Sequence, residues 1–272
     1  MNEFGDRPIG VFDSGLGGLS VLKTLLREFP NENFIYIGDT ARLPYGSKSA
    51  DTIQKYVEQL CHALIKQKVK ALIVACNSAS SVVLAQKEFE GLPLYNVIEP
   101  GSEEALRKTE SLRVGIIGTR TTIHQAAYPN TLKKLNPDVE VFQQACPLLV
   151  PLVEEGLEDD PITNLITYRY LSPLLQQNID TLILGCTHYP IMMPAIRKVT
   201  GNHVNLVDSA QAVAKVMRVD FESGRLMKNK NAKREFLKIF ATDVTDGFQT
   251  QTERILHPER QTTLEWIDLT SN

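Results

Sequence analysis

Residues 71–80 read ALIVACNSAS and residues 181–190 read TLILGCTHYP. Each is a short apolar run, then a small residue, a cysteine and polar side chains leading into a helical pattern. A run of four or five apolar residues bounded by polar ones reads as a buried strand. The two cysteines, Cys76 and Cys186, stand 110 positions apart. Two neighbouring landmarks keep nearly that step. Asp13 in GVFDSG and Thr119 in VGIIGTR differ by 106, and Glu99 in NVIEPG and Asp208 in NLVDSA by 109. Three matches at nearly one offset read as an internal duplication.

Working outward, Ile9–Phe12, Phe34–Gly38, Val114–Gly118 and Val204–Asp208 are further strand-like runs. Between them, Leu19–Phe29 sets Leu22, Leu25, Leu26 and Phe29 on one helical face. Asp51–Lys68 does the same with Ile53, Val57, Leu60, Leu64 and Ile65. Alternation of this kind predicts an α/β fold, two pseudo-symmetric doubly wound (flavodoxin-like) domains with mostly parallel sheets. The first would span 1–99 and carry Cys76; the second would span 100–207 and carry Cys186. Ligands of open α/β sheets bind at the carboxyl ends of strands. A cleft between the halves would therefore bring the two cysteines face to face.

Composition narrows the function. Of 272 residues, 43% are hydrophobic and 22% charged, an ordinary balance for a globular chain. A net charge of −3 gives no general pull toward nucleic acid or anionic lipid, so neither partner is expected. The opening MNEFGDRPIG lacks the basic and apolar regions of a signal peptide, and no apolar run approaches the roughly 18 residues of a membrane span. Four cysteines without a CxxC pair are too few for a disulfide framework, which fits a reducing, cytoplasmic home.

A cysteine at a strand end can be core, a metal ligand, half of a redox pair or a catalytic thiol. A lone one is more often core, but the duplicated setting of Cys76 and Cys186 reverses that balance. Two facing thiols suit inversion of a carbon acid, one removing a proton while the other donates on the opposite face. Each sulfur would sit ~3–3.5 Å from the reacting carbon, so the pair would be roughly 7 Å apart. A disulfide needs about 2 Å, so the two arrangements exclude each other. A helix start after each cysteine is expected to favour thiolate. Asp13 and Asp39 are candidates to tune Cys76, and His188 with Glu154 to tune Cys186.

GVFDSGLGGLSV, GDTARLPYG, ACNSAS, PLVEEG and GCTHYP together resemble the signature segments of the bacterial glutamate racemases, in the aspartate/glutamate racemase superfamily. The resemblance runs from about Ile9 to Ala210. It implies an isomerase without cofactor or metal that interconverts L- and D-glutamate by two cysteines and supplies D-glutamate for peptidoglycan. Position by position, it makes Cys76 the base toward D-glutamate and Cys186 the base toward L-glutamate, with Asp13, Asp39, Glu154 and His188 assisting. Substrate contacts would come from Asp13, Ser14, Pro44, Tyr45, Gly46, Asn77, Ser78, Thr119, Thr122, Thr187 and His188. Ser78 stands where the family usually has Thr, and Gln125 where Ser is frequent. Residues 208–272 resemble the family's return of the chain to the first domain, and a homodimer is implied.

Blander readings apply elsewhere. Cys61 continues a helical stripe and Cys146 has no duplicated counterpart, so both read as structural. His62, His124, His203 and His257 read as surface or satisfied histidines. A zinc site from Cys76, Cys186 and His188 lacks local ligand spacing. A non-catalytic amino-acid sensor and a dithiol switch are the rival functions.

Overall fold

A computed structural model of the chain describes residues 4–230, 236–256 and 261–269; His257 lies outside them. The first half runs β1 (Ile9–Asp13), α1 (Gly18–Glu28), β2 (Phe34–Gly38), α2 (Ala50–Lys66), β3 (Ala71–Val74), α3 (Asn77–Val82), β4 (Glu88–Phe89) and β5 (Leu92–Asn96). Then come α4 (Ile98–Lys108), β6 (Arg113–Gly118), α5 (Arg120–His124), α6 (Ala127–Leu135) and β7 (Glu140–Ala145). They are followed by α7 (Leu149–Glu154), α8 (Pro161–Leu175), β8 (Thr181–Gly185), α9 (Met193–Thr200) and β9 (Asn205–Asp208). The chain closes with α10 (Ser209–Ser223), β10 (Phe236–Ala241), α11 (Asp246–Leu256) and β11 (Gln261–Trp266).

Two sheets result, ordered β11-β10-β2-β1-β3-β5-β4 and β7-β6-β8-β9. All pairings are parallel except the two-residue β4 against β5. The segments β2-β1-β3-β5 and β7-β6-β8-β9 share one winding order, the flavodoxin-like plan. The fold is α/β with two such domains. Strands β1, β2, β3 and β8 are buried along their whole length, because helices cover both faces of each sheet. In the first sheet Leu19, Leu22 and Leu25 of α1 pack on one face, and Ile53, Val57, Leu60 and Leu64 of α2 on the other. Ser49 caps α2, its side chain accepting from Thr52 N, and Asp51 lies in the first turn.

The last helix of each half crosses over. Ile98 and Ala105 of α4 pack against β6 and β8 of the second sheet. Val213, Met217 and Phe221 of α10 pack with the first-sheet core. Strand β10 then pairs with β2, from Leu237 opposite Phe34 to Ala241 opposite Gly38.

The register corrects two of the matched landmarks. Phe12 lies opposite Val74, and Ile117 opposite Leu184, each two residues before its cysteine. Asp13 therefore corresponds to Gly118, and Ser14 to Thr119. Likewise Asp208 accepts from Ala210 N to cap α10, whereas α4 is capped by Asn96, which accepts from Ile98 N and Glu99 N. Asn96, not Glu99, is the counterpart of Asp208. Apolar runs aligned the strands, but only hydrogen-bond register fixes the polar residues after them.

The second sheet's amino edge is held by Asp180, whose carboxylate accepts from Thr109 Oγ1 at 2.5 Å, Ser111 N at 2.6 Å and Glu110 N at 2.8 Å. Burial alone would raise this carboxyl, but these donors outweigh it and hold its pKa at about 2 against 3.8. The stability this provides is present above the unfolded value and lost as pH falls through the folded one. Because the carboxylate is largely solvated, Asp180→Ala should cost only about 1 kcal/mol at pH 7. Urea unfolding at pH 7 and near pH 2.5 checks this; a cost that does not shrink in acid would refute it.

Candidate active site

Four strand ends meet across the two sheets. Ser14 follows β1, Cys76 follows β3, Thr119 follows β6 and Cys186 follows β8. All four line one cavity of about 230 Å³, below the roughly 300–1,000 Å³ typical of sites for drug-sized ligands. Pro44, Tyr45, Gly46, Asn77 and Ser78 join them from the first domain. Glu154, Thr187 and His188 join them from the second. All four cysteines are free thiols, with Cys61 and Cys146 in the cores.

The two catalytic candidates sit in unlike settings. Cys76 is at the N-cap of α3, with Sγ 3.8 Å from Ser14 Oγ. Burial and the charge of Asp13 push its thiol up to about 12, against the opposing Ala79 N–H and Ser14 hydroxyl. The expected thiolate-favouring helix end is thus outweighed here, because α3 has only six residues and the sulfur is desolvated. Cys186 has no helix directly after it; a 3₁₀ turn over Tyr189–Met192 intervenes before α9. Its polar neighbour is His188 Nδ1, 3.7 Å from Sγ, while His188 Nε2 lies 3.3 Å from Glu154 Oε1. Burial alone would lower the His188 pKa, but the contacts with Cys186 and Glu154 win and raise it to about 10. Both contacts favour the charged form of the imidazole beside Cys186.

This asymmetry has a chemical readout. A thiol near pKa 12 carries a thiolate fraction of about 10⁻⁴ at pH 8, against about a quarter for an ordinary cysteine. Iodoacetamide labelling of Cys76 in the ligand-free protein should be slow at pH 8 and rise about tenfold per pH unit toward pH 11. Mass spectrometry of the Cys76 peptide reads this directly. Rapid labelling at pH 7 would contradict the assignment.

Three residues expected at the site lie behind the wall. Asp13 is fully buried and accepts from Gly15 N and Gly18 N, both at 3.0 Å, with Thr187 Oγ1 at 3.4 Å. Its carboxyl is raised by burial, against the charge of His188 and three backbone N–H groups. Asp39 accepts from Arg42 Nε at 2.6 Å, Thr242 Oγ1 at 3.0 Å and the Tyr45 hydroxyl. Burial and Asp39 hold the Tyr45 phenol far above its usual range, so it stays a donor. Thr122 Oγ1 stands 3.2 Å from Ser78 Oγ and 3.1 Å from Thr119 Oγ1, which is itself 2.9 Å from Ser78 Oγ. These hydroxyls tie α3 of one domain to α5 of the other.

Close packing explains the glycines of SGLGG. A Cβ on Gly17 would fall 2.2 Å from Thr187 Oγ1 and 2.5 Å from His188 Nδ1. The first domain's loop thus rests directly on the Thr187–His188 turn, which Ser20 Oγ also holds by donating to Thr187 O at 2.9 Å.

A sequence model of the family described as Asp/Glu/Hydantoin racemase matches residues 9–217. The chain belongs to this family. Among curated relatives, the glutamate racemase of Syntrophus aciditrophicus (strain SB) is 45% identical over 252 residues, covering 92% of each chain. The solved glutamate racemase of Francisella tularensis in complex with D-glutamate superposes with a TM-score of 0.90 at 39% identity, covering 98% of this chain and 100% of that one. An isoform from Bacillus anthracis gives a TM-score of 0.91 at 34% identity, over 98% and 100%.

This racemase-family cavity has walls that the sequence left unassigned. Arg120, Pro147, Val150, Pro151, Leu43 and Ser47 all line it. Arg120 directly follows Thr119, and Val150 and Pro151 lie one turn before Glu154, so sequence adjacency was the available signal. Among the described residues no three His, Cys, Asp or Glu side chains are grouped to hold a metal ion, and no helix is long and apolar enough to cross a membrane.

Proposed function

We propose that this enzyme, an amino-acid racemase, interconverts L- and D-glutamate by proton transfer at Cα between Cys76 and Cys186. One observation carries the reading: the two thiols, from equivalent strand ends of two domains, share one amino-acid-sized cavity. Starting from L-glutamate, the Cys186 sulfur takes the Cα proton as thiolate, leaving a carbanion delocalised into its carboxylate. The Cys76 thiol delivers its proton to the opposite face, and D-glutamate results. The two sulfurs exchange protonation states, and no other atom is consumed. Starting from D-glutamate the roles reverse.

The surroundings suit both sulfurs. Cys76, held as a thiol, is ready to donate, and the His188 imidazolium offers charge stabilisation to a Cys186 thiolate. The α-ammonium of a bound amino acid adds positive charge beside both. Ser14, Thr119, Ser78 and the Asn77 amide supply neutral donors for carboxylates, and Arg120 adds a cation in the wall. Asp13 and Asp39 act through the Gly15–Gly18 loop, Thr187 and Tyr45. Glu154 acts through His188. Cytoplasmic supply of D-glutamate for peptidoglycan and assembly as a homodimer belong to the same reading.

The test is incubation with each glutamate enantiomer in D₂O without added cofactor. Deuterium should enter Cα of both, with aspartate and hydantoins as competing substrates. Tight binding of one enantiomer without exchange would replace this reading with a sensor.

A further inference from the structure

We infer that Tyr128 is a positioning residue, which fixes the Asn77 side-chain amide with its NH₂ presented to a substrate carboxylate. The inference rests on reading the cavity as an amino-acid site.

Asn77 opens α3 directly after Cys76 and is 2% exposed. An amide can offer either its oxygen or its nitrogen to a ligand, and only its other end decides which. Here Oδ1 accepts from the Tyr128 hydroxyl at 2.7 Å, while Nδ2 is buried with no hydrogen-bond partner among the described residues. Asn77 is part of the cavity wall, so this free donor is the end left for a ligand. The reversed amide would set an acceptor against a carboxylate.

The polarity is fixed one step further back. Tyr128 Oη is also 3.2 Å from Ser209 Oγ. With the Ser209 hydroxyl donating to it, the phenol has one proton and spends it on Asn77 Oδ1. Burial keeps that proton in place by raising the Tyr128 pKa. The ring has little freedom, since a Cβ on Gly101 of α4 or Gly185 of β8 would already touch it at 3.4 Å. The relay thus joins α6 of the second domain, the first residue of α10 and the catalytic edge of the first domain.

Kinetics of Tyr128→Phe test this. Carboxylate recognition serves ground and transition states alike, so KM for both enantiomers should rise about five- to tenfold with kcat within twofold. Ser209→Ala should move KM the same way by about two- to threefold, and it carries the test if Tyr128→Phe does not fold. In an Asn77→Ala background, Tyr128→Phe should add nothing further. A purely structural tyrosine would lower the melting temperature and add its effect independently of Asn77. An unchanged KM in Tyr128→Phe, or additivity with Asn77→Ala, overturns the relay. Wild-type protein run alongside reports the functional reading separately, since failure there would appear as no glutamate turnover at all.

Discussion

Replacement of Cys76 or Cys186 by Ala should each lower glutamate racemisation at least a thousandfold, because one acid–base group contributes roughly 10²–10⁴ and losing either sulfur disables both. Removing one sulfur leaves the other unable to complete inversion, since the opposite face then lacks a donor or a base. Because the enantiomers are equal in energy in water, kcat/KM must fall by the same factor in both directions. Direction appears instead in hydrogen exchange. Cys76→Ala keeps the Cys186 sulfur and should wash solvent deuterium slowly into L-glutamate, returning it to the same face. Cys186→Ala should do so only with D-glutamate. Proton NMR of each enantiomer in D₂O distinguishes the cases. Either variant retaining full racemase activity would end the two-thiol account.

Gly17→Ala should lower kcat/KM about a hundredfold, although it touches no reacting atom. Gly17 has ordinary right-handed helical dihedrals, so alanine brings no backbone strain. Its cost is steric: the new methyl meets Thr187 Oγ1 at 2.2 Å and the His188 ring at 2.5 and 2.7 Å. Relief requires moving the turn that carries His188 beside Cys186. Gly15→Ala is the control, because the three atoms nearest its Cβ, at 2.9, 3.0 and 3.2 Å, all belong to the Leu43 side chain. That variant should lose no more than a fewfold in the same assay. Equal losses in the two would show that the loop, and not the His188 contact, is responsible.

Much of the architecture was legible because buried parallel strands are continuous apolar runs. Both cysteine strands and the order of the duplicated elements follow from that. Strand β7 was not legible, since EVFQQA is half-buried at a sheet edge and carries Gln143 and Gln144. Strand β5 begins Leu92-Pro93 beside the short antiparallel β4, which weakens its signal. At the site, residues following strand ends could be read by position. What could not be read was depth. Asp13, Asp39 and Thr122 stand one layer behind the wall, a distinction set by tertiary packing. The Tyr128–Asn77 contact spans 51 residues and two domains, and no local pattern encodes it.

The exchange of final helices also bears on how the chain matures on the ribosome. The second sheet and α4 that backs it lie within one uninterrupted stretch, from Ile98 to Asp208. The first sheet lacks α10 and the β10 border until the last quarter of the polypeptide has emerged. During synthesis the later-encoded half is thus the first able to close its core, and the Cys76 half waits for the tail.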